Sequence, residues 1–337
     1  MVARLAASAV AALSLLVACS PFKDGADPSS PDAADVDGAA DAGVPDAEPD
    51  GSGPEADPLV PPVTTPRARA CEPGKVFQQI EPVTFEGNLN VESARFTTDR
   101  SHGYLAAYPP GGSSLDTEIY GVLRQPPSVT HYAAKLFNAL AAPGVFDSHP
   151  AVSRDGLRMV FMSKRTGVLA LLPAVRAPTG NFVVGAPLER PPTANLMGEP
   201  YLLDTDVLYF AAAAGGSEWN LYRASGGPPK YGTDAALPLA INDSVAADNA
   251  PVVTADELEI FFASNRADAN AKGGLDIWSA SRLPAAPVNQ FAGASLIELV
   301  STPGIDFPVW VSHDACDLYF VRKASPTEGG RLFIAHR

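Results

Sequence analysis

Five times along the chain an aspartate is followed, six residues later, by a large apolar residue. The pairs are Asp99–Leu105, Asp155–Phe161, Asp204–Phe210, Asp256–Phe262 and Asp314–Phe320, at intervals of 56, 49, 52 and 58 residues. A period of this length marks stacked supersecondary units, none of which can bury its apolar face alone.

The fullest copy, residues 249–282, reads NAPVVTADELEIFFASNRADANAKGGLDIWSASR. A short extended run (Pro251–Thr254) meets a polar turn at Asp256, and an apolar run (Leu258–Ala263) follows. A Gly/Asn-rich loop then leads to a third run at Leu275–Ala280. Short β-branched and aromatic runs bounded by turn residues read as strands. No sustained 3.6-residue apolar period occurs after the first nineteen residues, so helices are expected to be scarce.

The third run recurs as Ile119–Val122, Leu171–Ala174, Leu221–Ala224, Ile277–Ala280 and Leu332–Ala335. Four of these are followed by an arginine: Arg124, Arg176, Arg282 and Arg337. Each repeat aspartate (Asp99, Asp155, Asp204, Asp256, Asp314) falls between two strands, where a carboxylate can accept main-chain N–H bonds in an Asx-type turn. They are read as structural turn residues.

Arg337 follows the third strand of the fifth copy, whereas internal copies run on into a fourth segment such as Ser295–Gly304 or Leu237–Ser244. The run Val76–Phe85 precedes the first copy and is expected to supply the missing strand. The resulting expectation is all-β: a five-bladed β-propeller of four-stranded antiparallel blades, closed by an N-terminal strand. Residues 76–337 then give about 52 per blade, and six blades would leave one without a signature.

These residues carry a resemblance. PVVTADELEIFFASNR…GGLDIWSASR and HPAVSRDGLRMVFMSKR are similar to the WD40-like β-propeller repeat known as PD40, the type found in the propeller of TolB. The resemblance spans roughly 93–337, and its first copy, ARFTTDRSHGYLAAY, is degenerate. It implies blades rather than a chemistry, and TolB-like members imply a protein-binding scaffold at the cell envelope. TolB differs in having six blades and a further domain that has no counterpart in these repeats.

The N-terminus implies an address. Arg4 precedes an apolar run, Leu5–Ala18, too short for a permanent membrane span. It ends in Leu16-Val17-Ala18-Cys19, which resembles a bacterial lipobox, so residues 1–19 are expected to be a lipoprotein signal with Cys19 lipidated. Several acyl chains give stable anchoring. Ser20 in place of an aspartate resembles the outer-membrane sorting class, so an extracytoplasmic protein held by its lipid on the outer membrane is expected.

Residues 20–70 hold eleven acidic side chains against Lys23, Arg67 and Arg69, with many Pro, Ala, Gly and Ser. Such a stretch buries too little apolar surface to offset ordering entropy, and it is expected to be a disordered tether. The propeller, 71–337, carries 20 basic and 27 acidic residues. That balance argues against nucleic acid, which needs a positive patch.

With Cys19 lipidated, Cys71 and Cys316 remain. Both fall at the closing blade, one before its last strand and one in its first turn, so a disulfide between them is expected in an oxidising compartment; two unpaired thiols are the alternative. The five histidines (His102, His131, His149, His313, His336) show no metal-ligand spacing, and no nucleophile elbow, phosphate loop or dinucleotide fingerprint is present. No catalytic residue, metal site or cofactor is therefore assigned.

One acidic pattern remains. Glu92, Asp147, Glu199, Asp248 and Asp306 are read as standing just upstream of the first strands, and are expected to ring the mouth of the channel. They are either turn-capping carboxylates or an electronegative mouth for a cation such as Ca²⁺ or a basic loop. The leading functional expectation is a monomeric, non-enzymatic scaffold that binds an envelope protein or polysaccharide, with the loop Ser264–Asp276 as the preferred contact. The alternative is a glycoside hydrolase or carbohydrate-binding protein on a five-bladed propeller, which as an enzyme would need a differentiated carboxylate pair.

Overall fold

The computed structural model describes residues 68–337 except 138–139, 141, 143, 179, 215–217, 228–230 and 232–236. The expected signal, Cys19 and nearly all of the expected tether lie outside the described residues. Within them the chain is all-β, with two single-turn 3₁₀ segments and no α-helix.

Strand β1 (Gln79–Phe85) precedes five repeats. The first comprises β2 (Asn90–Phe96), β3 (His102–Tyr108), β4 (Glu118–Arg124) and β5 (His131–Leu136). The second comprises β6 (Asp147–Val152), β7 (Arg158–Ser163), β8 (Ala170–Val175) and β9 (Val183–Val184). The third comprises β10 (Leu196–Leu202), β11 (Val207–Ala213), β12 (Trp219–Ser225) and β13 (Leu237–Pro238). The fourth comprises β14 (Asp248–Val253), β15 (Glu259–Ser264), β16 (Asp276–Ser281) and β17 (Ala292–Leu296). The fifth has β18 (Ile305–Val311), β19 (Asp317–Lys323) and β20 (Arg331–His336). Each repeat folds as an antiparallel sheet in chain order, and β1 is the fourth strand of the last.

The first strands touch in a closed cycle: β2 with β6, β6 with β10, β10 with β14, β14 with β18, and β18 back to β2. That is a β-propeller built around an axis. The five apolar residues six positions after the repeat aspartates, Leu105, Phe161, Phe210, Phe262 and Phe320, are all 0% exposed. They fill the packing between sheets, which explains their recurrence.

The turn between first and second strands follows a compact rule, Ser/Thr-x-Asp. In four repeats the hydroxyl (Thr97, Ser153, Thr254, Ser312) donates to the aspartate two residues on, at 2.5–2.7 Å. The same aspartate then accepts a main-chain N–H from Ser101, Leu157, Leu258 or Cys316. The residue after it has φ between +56° and +67°, as at Gly156 and Glu257, which lets the chain reverse.

The recurring arginine closes the device from the third strand. Nε of Arg176, Arg282 and Arg337 each donates at 2.7 Å to the carbonyl of that left-handed residue, Gly156, Glu257 and Ala315. Arg124 reaches the Asp99 carbonyl instead, at 3.3 Å.

Asp204 departs from the expectation. Leu203 occupies the hydroxyl position, the turn is one residue shorter, and the Leu203 N–H donates directly to the Val207 carbonyl. The Asp204 carboxylate instead accepts the Arg154 N–H of the preceding repeat at 2.6 Å.

The ring closes where β1 pairs with β20, from Gln79↔His336 to Val83↔Leu332, while Thr84 and Phe85 run on beside β5 of the first repeat. Cys71 and Cys316 form a disulfide, with Cα atoms 5.1 Å apart and a sequence separation of 245. Glu259 of the fourth repeat is 1% exposed and collects the loose ends. It accepts from Arg69 (2.6 Å), the Gly74 N–H (3.1 Å) and both terminal nitrogens of Arg337 (2.9 and 2.7 Å). Phe77 packs edge-on against Phe261 at 5.9 Å beside it.

A Cys71→Ser/Cys316→Ser variant is expected to lose about 2–5 kcal/mol, because the bridge removes a very long loop from the unfolded ensemble. Glu259→Gln, which leaves two arginines facing a neutral amide, is expected to lose about 3–5 kcal/mol. Shifts of the urea midpoint at constant slope would measure both.

Candidate functional site

The first strand of every repeat is an edge strand lining the axis, and proline is tolerated on such an edge. Here Pro150, Pro200, Pro251 and Pro308 accompany β-bulges: register slips occur within 148–151, 198–201, 249–252 and 308–310, and at Glu92 in the proline-free first repeat. His149, Glu199 and Ala250 take φ near +50° at these bulges. A bulge re-aims side chains, and it splits the five candidate acids into separate sets.

Asp147, Asp248 and Asp306 share one register position, opposite Ser163, Ser264 and Arg322 on the second strand. They are 1%, 0% and 0% exposed. Each is held by an arginine from the segment that ends or follows that strand. Arg165 binds both oxygens of Asp147 (2.6–3.3 Å), Arg266 binds Asp248 (2.6 Å) and Arg322 binds Asp306 (2.6 Å). The same guanidinium groups lie over the rings of Phe161, Phe262 and Phe320, 4.8–5.3 Å from their centroids. These arginines were not singled out from sequence, although Ser163-Lys164-Arg165 and Ser264-Asn265-Arg266 carried the signal.

In the first and third repeats the equivalent register positions are Val91 and Met197, opposite Ala107 and Ala212. Glu92 and Glu199 come one and two residues later. The five acids therefore do not form one ring of equivalents. Glu92 receives Lys323 Nζ of the fifth repeat at 2.7 Å on both oxygens, yet burial outweighs that cation and raises its carboxyl. Glu199 accepts the Ala250 N–H at 2.5 Å, and no cationic side chain pairs with it among the described residues. Desolvation pushes it up to about 7. The neighbouring bulge residue His149 is pushed down to about 3, first by burial and then by Arg95 and Lys323, and is neutral.

One acid outside the candidate set is also perturbed. Glu118 on β4 is raised to about 7, by burial first and then by the nearby Asp147. Among the described residues no three His, Cys, Asp or Glu side chains gather as a metal site.

No family model matches this sequence, and no curated protein is similar to it. Solved structures are similar in fold. A thermostable family-43 glycoside hydrolase is 14% identical, with a TM-score of 0.49 over 77% of this chain and 91% of that one. An alpha-L-arabinofuranosidase from Lactobacillus brevis is 12% identical, with a TM-score of 0.45 over 72% of this chain and 88% of that one. A TolB from Acinetobacter baumannii is 12% identical, with a TM-score of 0.40 over 74% of this chain and 55% of that one.

Glu199 gives a pH test. Its folded value near 7 lies above the ordinary 4.5, so between those limits the native protein holds a proton that the unfolded chain has released. Its contribution to stability therefore falls as pH rises from about 4.5 to 7. Glu199→Gln is expected to raise the melting temperature at pH 8 and to change it little at pH 5. An equal shift at both values would show that Glu199 is not the titrating group.

Proposed function

We propose that this chain is an envelope-anchored lipoprotein. Its five-bladed propeller, closed by the N-terminal strand, is a non-catalytic scaffold that docks another protein or an envelope polymer on its loop face. The observation that carries the reading is the fate of the acids at the first strands. Asp147, Asp248, Asp306 and Glu92 are engaged by internal cations, so they brace the ring and are not offered to a substrate. The disulfide supports an oxidising compartment. The anchor itself rests on Leu16–Cys19.

The loop Ser264–Asp276 supports a docking role because it is exposed yet pinned. Asp276 accepts the N–H groups of Lys272 and Gly273, and Lys272 Nζ reaches the Glu298 carbonyl at 2.8 Å. At Gly273 a side chain would meet the carbonyl oxygens of Gly304 and Thr302 at 2.4 and 2.5 Å, so only glycine lets the loop lie this close. Little entropy is lost when a pre-ordered loop binds.

The hydrolase reading keeps one specific support: Glu118 and Glu199, each raised to about 7, have the character a general acid needs. Two carboxylates, Asp147 and the exposed Asp116, lie close enough to Glu118 to raise it further. Asp147, beside Glu118, is almost wholly buried and bound on both oxygens by Arg165. That engagement makes Asp147 a poor base for activating water, so the hydrolase reading would rest on Asp116 as the partner of Glu118.

Crosslinking from intact envelopes is expected to recover a discrete partner. Asp268→Lys/Asn270→Lys in the loop should reduce that recovery by about tenfold. Release of reducing sugar from envelope polysaccharide, abolished by Glu118→Gln or Glu199→Gln, would overturn the scaffold reading in favour of the hydrolase.

A further inference from the structure

The repeat grammar makes one position conspicuous. The first-strand residues opposite Tyr104, Val160, Tyr209, Phe261 and Tyr319 are Arg95, Ala151, Tyr201, Val252 and Trp310. Four repeats place an apolar side chain there, and the first places an arginine that is only 6% exposed. A departure from local grammar in the interior carries a cost that a packing role does not explain.

The Arg95 side chain crosses the axis. Its Nη2 donates to the Pro200 carbonyl of the third repeat (3.0 Å), its Nη1 to the adjacent Ala94 carbonyl (3.0 Å), and its guanidinium lies 4.6 Å from the Tyr201 ring centroid. Nε has no hydrogen-bond partner, and among the described residues no carboxylate pairs with Arg95. Desolvation lowers its pKa to about 10, the cost of a buried cation that no described carboxylate neutralises.

This cation lines an axial cavity of about 310 Å³ that opens at the turn face, opposite the end where the candidate acids lie. Phe96, Tyr104, Tyr201 and Trp310 contribute apolar and aromatic surface. The rim is built from the residues between the hydroxyl and aspartate positions, including Arg154, Asp204, Ala255 and His313. Asp204, the carboxylate on this rim among the described residues, is already bonded to the Arg154 N–H. A concave, largely apolar site of roughly 300 Å³ or more with a buried cation in its interior suits a small amphiphilic molecule.

We propose that this cavity binds a small carboxylate, its head on the Arg95 guanidinium and its apolar body against Tyr201 and Trp310. The inference is independent of what docks on the loop face.

Calorimetric titration of the intact protein with benzoate and hexanoate, against benzyl alcohol and benzylamine, tests it. Both carboxylates are expected to bind, and the neutral and cationic probes at least about tenfold more weakly. Arg95→Met should weaken benzoate by about tenfold or more, while Arg95→Lys retains part of the affinity. Ala255 is exposed on the rim, so Ala255→Trp narrows the mouth without touching Arg95 and should weaken benzoate even if Arg95→Met fails to fold. Absence of carboxylate binding up to about 10 mM, equal binding of benzyl alcohol, or full affinity in Ala255→Trp would overturn the proposal.

Discussion

Everything in this fold depends on closing the ring. Each repeat leaves two edges exposed, an inner strand along the axis and an outer strand beside solvent, and its faces are covered only by its neighbours. The last repeat supplies three strands of its own, so its fourth edge is satisfied only when β1 returns across the length of the chain to pair with β20. That contact joins residues about 250 positions apart, and loop-closure entropy opposes it. The seam is correspondingly redundant: main-chain pairing, the Cys71–Cys316 bridge, the Phe77–Phe261 contact and the charge cluster on Glu259 converge there. Glu259 matters most among the side chains, because it ties the incoming segment, the last residue and the fourth repeat to one buried carboxylate.

How much of this was legible in the sequence follows from which interactions are local. The turn rule is local: a hydroxyl, a carboxylate and a left-handed residue within five positions, with an arginine returning from the third strand. It survives as a visible spacing, so the units, their order and the closing strand could be read directly. The third repeat misled for a local reason too. Asp204-Thr205-Asp206 offers two aspartates, and the loss of the hydroxyl residue to Leu203 shortens the turn by one. Counting six back from Phe210 then lands on a residue whose bond goes to another repeat.

The five acids could not be sorted from sequence because a β-bulge breaks the link between spacing and direction. Glu92 and Glu199 lie close in sequence to the position held by Asp147, Asp248 and Asp306, yet the inserted residue points them elsewhere. Their cations were harder still to see. Arg165 and Arg266 follow their aspartates by eighteen residues and Arg322 by sixteen, since the second strand differs in how it ends. Lys323 reaches Glu92 from the far side of the seam, a pairing that exists only once the ring is closed.

Along the axis, Glu199 and Arg95 have no oppositely charged side chain paired with them among the described residues. They could have neutralised one another, since Arg95 already bonds the carbonyl of Pro200, the residue next to Glu199. The φ of +51° at Glu199 instead turns its carboxylate toward the Ala250 N–H of the fourth repeat. A left-handed non-glycine residue costs of order 1–3 kcal/mol, and a desolvated charge costs more, so the separation works against stability on two counts. Its consequence is a polarised axis, with an acid that is half protonated near neutrality and a permanent cation facing the turn side. A channel that merely filled its interior would use the apolar side chains that the other four repeats place opposite their second strands.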